Sequence, residues 1–385
     1  MSRSEGLDTE KKKDITEVNV PWNPMSAYDQ WLATLRLPIH RGYFVNDLRI
    51  LELGWWEERQ CYAAFVRLAG QEGVTETRVT EIPPAKSMLA FRMALDEIVY
   101  VIDGRGLATI WAEGKPKKTF EWQKHSLFLI PRNYHCQFGN AQGGKPARLL
   151  HYNTLPLAMT LNPDPDFFFK NSYQDANLVY GDDAGGFYSQ ARVVREGGVA
   201  TKNYWVGNFF PDMKAWDRLE PFKARGAGGR VVWIRYPKSP LYNHMSVFPA
   251  RTYKKAHRHG PGTLIVIPAG EGYSLMWPEG SEKLEIPWHE ASAFVPPNKW
   301  FHQHFNVGAA PARYLAFHFP KGFMRDSEKI EDRERDQIEY PSEDPMIRQK
   351  FADELARRGL TSLMPDEAYH DKNFQWKYET QSETM

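Results

Sequence analysis

Two histidines separated by one residue, His257 and His259, and a third, His302, are the residues whose types and spacing predict chemistry in this chain. Successive strand residues point to opposite faces, so a His-x-His pair projects both imidazoles to one side. A third imidazole on a neighbouring antiparallel strand can complete the set. Three such ligands suit a divalent transition metal and leave positions for water, substrate and dioxygen. Without a carboxylate ligand the ion keeps its full charge, which favours an anionic, chelating substrate.

The segments around these histidines predict short antiparallel strands. Residues 263–267 form a β-branched run between two glycine-containing turns, and residues 290–295 and 312–318 are further apolar runs that suit strands. We therefore expect the three histidines to lie on neighbouring strands of a small β-barrel.

A similar pattern occurs earlier in the chain, at an offset of about 166 residues. The matching segments are Asp103 to Gly106 with Ala269 to Gly272, and Ser126 to Pro131 with Ser292 to Pro297. The repeat predicts two copies of one barrel.

The two copies are expected to differ in their metal ligands. Phe91 and Met93 take the positions of His257 and His259, and Glu97 takes that of Thr263. His135 is aligned with His302 if the first copy has one residue fewer after Ser126. Glu97 and His135 offer two ligands for a second ion, but the apolar pair opposite them favours an apolar cavity. The first barrel is therefore expected to serve as a scaffold, with Thr263 of the second in a packing or hydrogen-bonding role.

These motifs resemble the cupin superfamily, and specifically the two-barrel bicupins. The family pattern is a His-x-His followed by a glutamate and a glycine, and then a proline that precedes a histidine. Here Thr263 replaces the glutamate. This three-histidine variant is similar to gentisate 1,2-dioxygenase and related ring-cleaving bicupins. Those enzymes usually carry the metal in the first barrel, whereas this chain carries the ligands in its second.

The resemblance implies an all-β fold of two tandem cupin domains, which are jelly-roll β-barrels, with short helical N- and C-terminal extensions. Ser26 is expected to cap a short helix that docks on a barrel. Asp344-Pro345 is expected to start a second helix with an apolar stripe, which packs on its own barrel or on a neighbouring subunit. The expected units are an arm with a short helix at 1–58, a barrel with a degenerate metal site at 59–165, an inter-barrel segment at 166–228, a barrel with the metal site at 229–320, and a charged helical extension at 321–385.

Several residues near the triad are candidates for substrate contact. His304 should share the inner face with His302, whereas Gln303 should point away. His304 is expected either to orient the substrate and move protons or simply to line the pocket. Arg251, Arg258, Lys254 and Lys255 place positive charge nearby, and one of them could receive a substrate carboxylate, although Lys254 and Lys255 are more simply a solvated strand end. The candidates for substrate binding are Arg251, Arg258, Trp300 and His318, and we expect no residues that bind an organic cofactor.

Composition narrows the function classes. With 385 residues, of which 42% are hydrophobic, the chain can bury two cores. Its net charge of +1 gives no overall field that would attract nucleic acid or an anionic membrane. Cys61 and Cys136 lack the spacing of a metal site or a disulfide framework. The charged amino terminus lacks the apolar core of a signal peptide, and no stretch is as long and apolar as a membrane span. We expect a cytoplasmic protein that forms a homo-oligomer.

The leading functional hypothesis is a non-haem Fe(II)-dependent dioxygenase that cleaves a hydroxylated aromatic acid or a similar chelating molecule, with dioxygen as the second substrate. One alternative is a non-redox lyase or hydrolase that uses Zn(II), Mn(II) or Ni(II) to polarise a carbonyl or activate water. Another is a bicupin that binds or stores a small ligand without turnover.

Overall fold

The computed structural model describes residues 25–71, 73–173, 191–196, 202–215, 219–320 and 335–378. Strands dominate these ranges, and no helix within them is long and apolar enough to cross a membrane. The helices are α1 (Ala27–Leu35), α2 (Leu155–Leu161), α3 (Pro165–Phe169) and α4 (Pro345–Ala356).

The first half of the chain folds into two sheets. The strands are β1 (Ile39–Gly42), β2 (Phe44–Val45), β3 (Gly54–Trp56), β4 (Cys61–Leu68), β5 (Glu76–Ile82), β6 (Phe91–Arg92), β7 (Glu97–Asp103), β8 (Arg105–Trp111), β9 (Lys118–Gln123), β10 (Leu127–Ile130), β11 (His135–Asn140) and β12 (Ala147–Asn153). One sheet has the order β1-β4-β5-β12-β7-β10, with β3 beside β4, and the other has the order β6-β11-β8-β9.

The second half repeats this arrangement. Its strands are β13 (Arg192–Glu196), β14 (Lys202–Val206), β15 (Phe209–Phe210), β16 (Glu220–Pro221), β17 (Arg230–Arg235), β18 (Tyr242–Phe248), β19 (Ala256–His257), β20 (Leu264–Ala269), β21 (Gly272–Trp277), β22 (Leu284–Trp288), β23 (Ala293–Phe294), β24 (Phe301–Asn306), β25 (Ala312–His318) and β26 (Gln337–Ile338). The sheets have the orders β13-β14-β17-β18-β25-β20-β23, with β16 beside β17, and β22-β21-β24-β19-β26.

In each half the two sheets share one apolar core, so the predicted fold class of two tandem jelly-roll barrels is confirmed. The repeat is visible at Gly106 and Gly272. A Cβ at Gly106 would lie 2.4 Å from the Trp122 ring, and a Cβ at Gly272 would lie 2.5 Å from the Trp288 ring. Only glycine lets these two tryptophans pack against the strand backbone.

Each barrel is completed by a strand from the segment that precedes the other barrel. β2, from the amino-terminal arm, pairs with β23 of the second barrel through Val45 and Ala293. β15, from the inter-barrel segment, pairs with β10 of the first barrel through Phe210 and Leu127. The described parts of the segments 1–58 and 166–228 therefore contribute strands to the barrel sheets. Their two-residue strands are too short to produce a recognisable sequence pattern.

The amino-terminal helix docks on the first barrel, as predicted. The Ser26 hydroxyl accepts a hydrogen bond from the Asp29 amide at 3.1 Å and so caps α1. Tyr28 and Leu32 are buried in the first core, and the Tyr28 hydroxyl donates to Glu76 at 2.9 Å.

The carboxyl-terminal helix packs on its own barrel, which is one of the two predicted alternatives. Asp344 caps α4 by accepting from the Met346 amide at 3.0 Å. Ile347, Phe351 and Leu355 are buried against the outer face of the sheet that contains β19 and β24. The helix therefore braces the strands that carry the histidines.

Replacing Phe351 with alanine is expected to destabilise the protein by about 3–5 kcal/mol. Its ring is 1% exposed and packs edge-on against Tyr253 at 4.9 Å, so its removal leaves a cavity. Urea unfolding measures the change. Met346→Ala on the same helix is the control, because Met346 is 70% exposed, and its effect should stay within about 0.5 kcal/mol. If Phe351→Ala destabilises the protein as little as Met346→Ala does, the packing of α4 does not stabilise the barrel.

Candidate metal centre

Three imidazoles converge inside the second barrel. His257 on β19 is the direct cross-strand partner of His302 on β24, and His259 follows two residues after His257. Their ligand atoms all lie within 4.8 Å of one another. The ring of His302 is centred 4.3 Å from that of His257 and 4.6 Å from that of His259. The spacing read from the sequence is thus realised in three dimensions.

Backbone contacts fix the tautomer of each ring. Nδ1 of all three histidines faces a carbonyl oxygen, which can only accept, so Nδ1 carries the proton and Nε2 presents its lone pair. The acceptors are the carbonyls of Lys255 for His257 at 3.1 Å, Gly260 for His259 at 2.8 Å, and Trp300 for His302 at 3.2 Å.

One of these lone pairs has no partner within the described part of the protein. Nε2 of His302 is buried and makes no hydrogen bond there. A buried polar atom without a partner costs free energy, and a metal ion would satisfy it together with the other two nitrogens. The donor set therefore fits a divalent transition metal.

The site keeps its histidines neutral. Burial lowers the pKa of His257 and His302 well below the ordinary value. The charge of Arg225 adds to the shift at His257, and the neighbouring imidazole of His259 adds to the shift at His302. Burial lowers the pKa of His304 in the same way, with Lys254 as the next contributor. Neutral imidazole is the form that binds metal.

These lowered pKa values predict that the metal-free protein loses stability in acid. Below about pH 6.5 the unfolded chain takes up protons on histidines that stay neutral when folded. The free energy of unfolding should then fall by as much as about 1.4 kcal/mol per pH unit for each such histidine. Urea unfolding in chelator at pH 7.5 and 5.5 measures this, and His302→Asn should give a shallower slope. If His302→Asn leaves the pH dependence of the free energy of unfolding unchanged, His302 is not a buried histidine that stays neutral in the folded protein.

Lys254 lies inside the barrel, and the expectation of a solvated strand end is wrong for this residue. It is 4% exposed, and its ammonium donates to the Ser246 hydroxyl at 2.6 Å. The ring centroids of Phe248 and Tyr314 lie 4.8 and 5.3 Å from Nζ. Burial, assisted by the charge of Arg225, lowers the pKa of Lys254 to about 7. Strand alternation places it inward, whereas its residue type suggested solvent.

The neighbouring Lys255 is also largely covered, since its side chain is 14% exposed. It points to the outer face, where it pairs with Glu339. The two lysines therefore lie on opposite sides of the segment that leads into β19, which makes Lys255 a matched control for Lys254.

His304 lies between the triad and Lys254. Its ring centre is 5.5 Å from that of His302 and 4.7 Å from that of Tyr314, and its Nδ1 is 2.8 Å from the Ser274 hydroxyl. Gln303 points to the other face, as predicted, where it donates to Glu343 at 3.1 Å.

A second histidine pair lies in the same barrel. His318 is bonded through Nε2 to Nδ1 of His244 at 2.8 Å, and its own Nδ1 lies 3.3 Å from the Thr263 hydroxyl. The ring of Tyr242 stacks on His318 at 4.6 Å. Sequence reasoning missed His244, although Tyr242, His244 and Ser246 alternate along β18 as polar residues that share one face.

The other substrate-binding candidates lie away from the triad. Arg258 points outward, pairs with Asp336 at 2.9 Å and Glu279 at 2.8 Å, and lies over the Phe301 ring. The Arg251 guanidinium donates to the carbonyl of Thr361 at 3.4 Å.

Trp300 contributes its carbonyl to His302, while its ring lies against Tyr43 at 5.7 Å. The structure therefore brings together His257, His259, His302 and His304. His318 belongs to the pair with His244, and the two arginines lie elsewhere.

In the first barrel, the alignment of His135 with His302 is wrong. Asn140 pairs with Gly106 as Asn306 pairs with Gly272, so the offset of 166 residues is unchanged along β11 and β24. His135 therefore corresponds to Phe301 on the outer face, where it stacks on Trp111 at 5.1 Å.

The first-barrel counterpart of His302 is Cys136. It is a buried free thiol, and burial raises its pKa well above the usual value. The two histidines match in residue type, but a constant offset of 166 residues relates His135 to Phe301 and not to His302.

The Glu97 carboxylate of the first barrel is already paired. It accepts hydrogen bonds from Arg78 at 2.7 Å and Asn153 at 3.1 Å, and it lies 2.8 Å from Nδ1 of His151. Burial opposes ionisation, but Arg78 and His151 outweigh it and hold the pKa of Glu97 well below its usual range. A guanidinium thus supplies the positive charge that a metal would supply. Among the described residues, the metal-spaced group is the histidine triad of the second barrel.

Comparison with family models and with curated proteins gives no match. The chain is similar to the oxalate decarboxylase of Lactobacillus farciminis in complex with formate, at 12% identity over 72% of this chain and 86% of that one, with a TM-score of 0.46. A variant of Bacillus subtilis oxalate decarboxylase gives 12% identity over 74% and 78%, with a TM-score of 0.46. Hazelnut vicilin gives 13% identity over 73% and 86%, with a TM-score of 0.44. These likenesses are too distant to support an argument about metal, substrate or reaction.

Proposed function

We propose that the second barrel is the active centre of a metal-dependent enzyme, and that the enzyme is an Fe(II)-dependent dioxygenase acting on a small anionic, chelating substrate. One observation supports the metal centre above all others. The ligand nitrogens of three histidines lie within 4.8 Å of one another, and Nε2 of His302 is buried without a partner among the described residues. When bound, the metal would polarise the substrate and, as iron, supply an electron for the reduction of dioxygen.

The protein residues of this centre have defined tasks in the proposal. The three histidines hold the ion without adding negative charge, so an anionic substrate is favoured over a neutral one. His304 is close enough to the triad to orient the substrate or to move a proton through its contact with Ser274. A hydroxylated aromatic acid meets these requirements because its adjacent oxygens chelate and carry negative charge.

A second candidate function is a non-redox metal-dependent lyase or hydrolase. Lys254 is the observation that favours it, because a buried amine whose pKa is lowered to about 7 can give or take a proton near neutral pH. Mn(II), Zn(II) or Ni(II) would serve such a reaction, and dioxygen would not be consumed.

Metal loading combined with oxygen uptake tests the proposal. The protein is purified anaerobically and loaded separately with Fe(II), Mn(II), Ni(II) or Zn(II). Oxygen consumption is then followed with a panel of hydroxylated aromatic acids. We expect about one iron per chain and oxygen uptake that requires both iron and substrate. Turnover of any substrate without oxygen, with equal rates for Mn(II) and Fe(II), would replace the dioxygenase with the lyase or hydrolase.

The remaining expectations about the cellular context stay proposals. We infer a reducing, cytoplasmic location because Cys61 and Cys136 are both buried free thiols. A homo-oligomer, a small-molecule partner and the absence of nucleic-acid binding likewise remain predictions.

A further inference from the structure

Buried charge in the second barrel has only one sign. Among the described residues that are almost fully buried there, the polar side chains are histidines, amides, hydroxyls and Lys254, with no aspartate or glutamate. The first barrel differs, because Glu76 and Glu97 lie buried beside Arg78. A divalent ion on the triad would therefore add to a positive interior that no buried carboxylate of the described residues neutralises.

The side chain of Lys254 lies in the interior of the second barrel, beside His304. Lys254 precedes β19 and lies beside His304 of β24, since the Lys254 amide donates to the His304 carbonyl at 3.0 Å. The lysine side chain crosses from this sheet to Ser246 on β18, in the opposite sheet of the barrel. Ser246 shares a face of β18 with His244, two residues away, so Nζ lies in the same interior as both histidine groups.

A lysine in this position is costly to the fold. Its hydrogen-bond partner, Ser246, is neutral, and its other close neighbours are the rings of Phe248 and Tyr314. Methionine would fill the same space without a charge or an amine to desolvate. A buried ionisable group that the fold does not need points to a role in binding.

We propose that Lys254 binds the second negative group of a dianionic substrate whose other end chelates the metal. This inference rests on the proposed metal centre and narrows its substrate class. The class comprises hydroxy or keto acids with a second carboxylate or with an ionised phenol. Charge balance supports it, because two negative charges on the substrate offset the divalent ion and the ammonium better than one.

The test compares two probes that differ only in the second charge. The probes are malate and its 4-amide, 2-hydroxysuccinamate, which chelate through the same 2-hydroxycarboxylate. The holoprotein is loaded with Co(II), and the visible spectrum of the cobalt reports binding of each probe. We expect malate to bind about tenfold or more tightly than the amide, the size of one charged hydrogen bond. In Lys254→Met, malate should weaken to the level of the amide, while the affinity for the amide stays within about twofold.

Lys255→Met is the matched control, because Lys255 lies on the outer face with Glu339, and it should keep the preference for malate. Lys254→Met should also melt at or above the temperature of the unmodified protein, since it removes a buried amine. Lys254→Gln, which keeps a polar group but no charge, should behave like Lys254→Met in binding.

Two results would overturn the inference while leaving the metal centre intact: equal affinities for malate and the amide, or a preference for malate that survives in both Lys254 variants. Failure of Co(II) to bind the unmodified protein would instead overturn the proposed function. The two failures are therefore distinguishable in one experiment.

Discussion

Replacing His302 with alanine is expected to reduce bound metal from about one ion per chain to less than about a tenth of that. Substrate-dependent turnover should be lost with it. His302 is the central member of the triad, since its ring lies closest to both of the others. Its removal leaves two ligands on one strand end, which is too few to hold an exchangeable divalent ion. Elemental analysis after metal loading and gel filtration measures the loss.

His135→Ala is the control, because His135 is the first-barrel histidine that the sequence suggested as the counterpart of His302. It lies on the outer face against Trp111, so metal content should not change. Metal that stays at one ion per chain in His302→Ala, or that is lost in His135→Ala, would contradict the site.

Replacing Arg78 with methionine is expected to destabilise the protein by about 3–5 kcal/mol, because it leaves buried carboxylates without their cation. Arg78 pairs with Glu76 at 2.6 Å and with Glu97 at 2.7 Å, and all three side chains are buried. Without the guanidinium, two buried carboxyl groups lose their cation, although His151 still contacts one of them. The change is measured by denaturant unfolding of the whole chain.

The charge origin of this effect is tested by a second substitution. Arg78→Met combined with Glu97→Gln removes one of the unpaired charges and should recover at least about 1 kcal/mol relative to Arg78→Met alone. Arg105→Met, at an exposed position of β8, should change stability by no more than about 0.5 kcal/mol. A double variant less stable than Arg78→Met would show that packing, and not charge, makes Arg78 necessary.

The metal triad was predictable because it depends on a regular property of strands. Side chains alternate with a period of two, so His257 and His259 had to share a face. The proline before His302 matches the second motif of the cupin pattern, and the resemblance implied that His302 joins the pair. The repeat of about 166 residues likewise predicted two barrels. The helix that begins at Pro345 could be predicted from local sequence signals alone. The sequence did not decide whether it packs on its own barrel or on a neighbouring subunit.

Other features could not be read from the sequence because they depend on long-range packing. Nothing local shows that β2 and β15 exchange between barrels, since each has two residues. Lys254 looks like a surface lysine until the strand register places it inside. His244 is 74 residues from its partner His318, and neither histidine belongs to a recognisable motif.

Anomalous X-ray diffraction from crystals of the iron-loaded protein tests the central claim most directly. The account predicts one anomalous peak per chain, at about 2.1 Å from Nε2 of His257, His259 and His302, and no peak near Glu97. A peak in the first barrel beside Glu97, or full iron content with no peak at the three histidines, would contradict it.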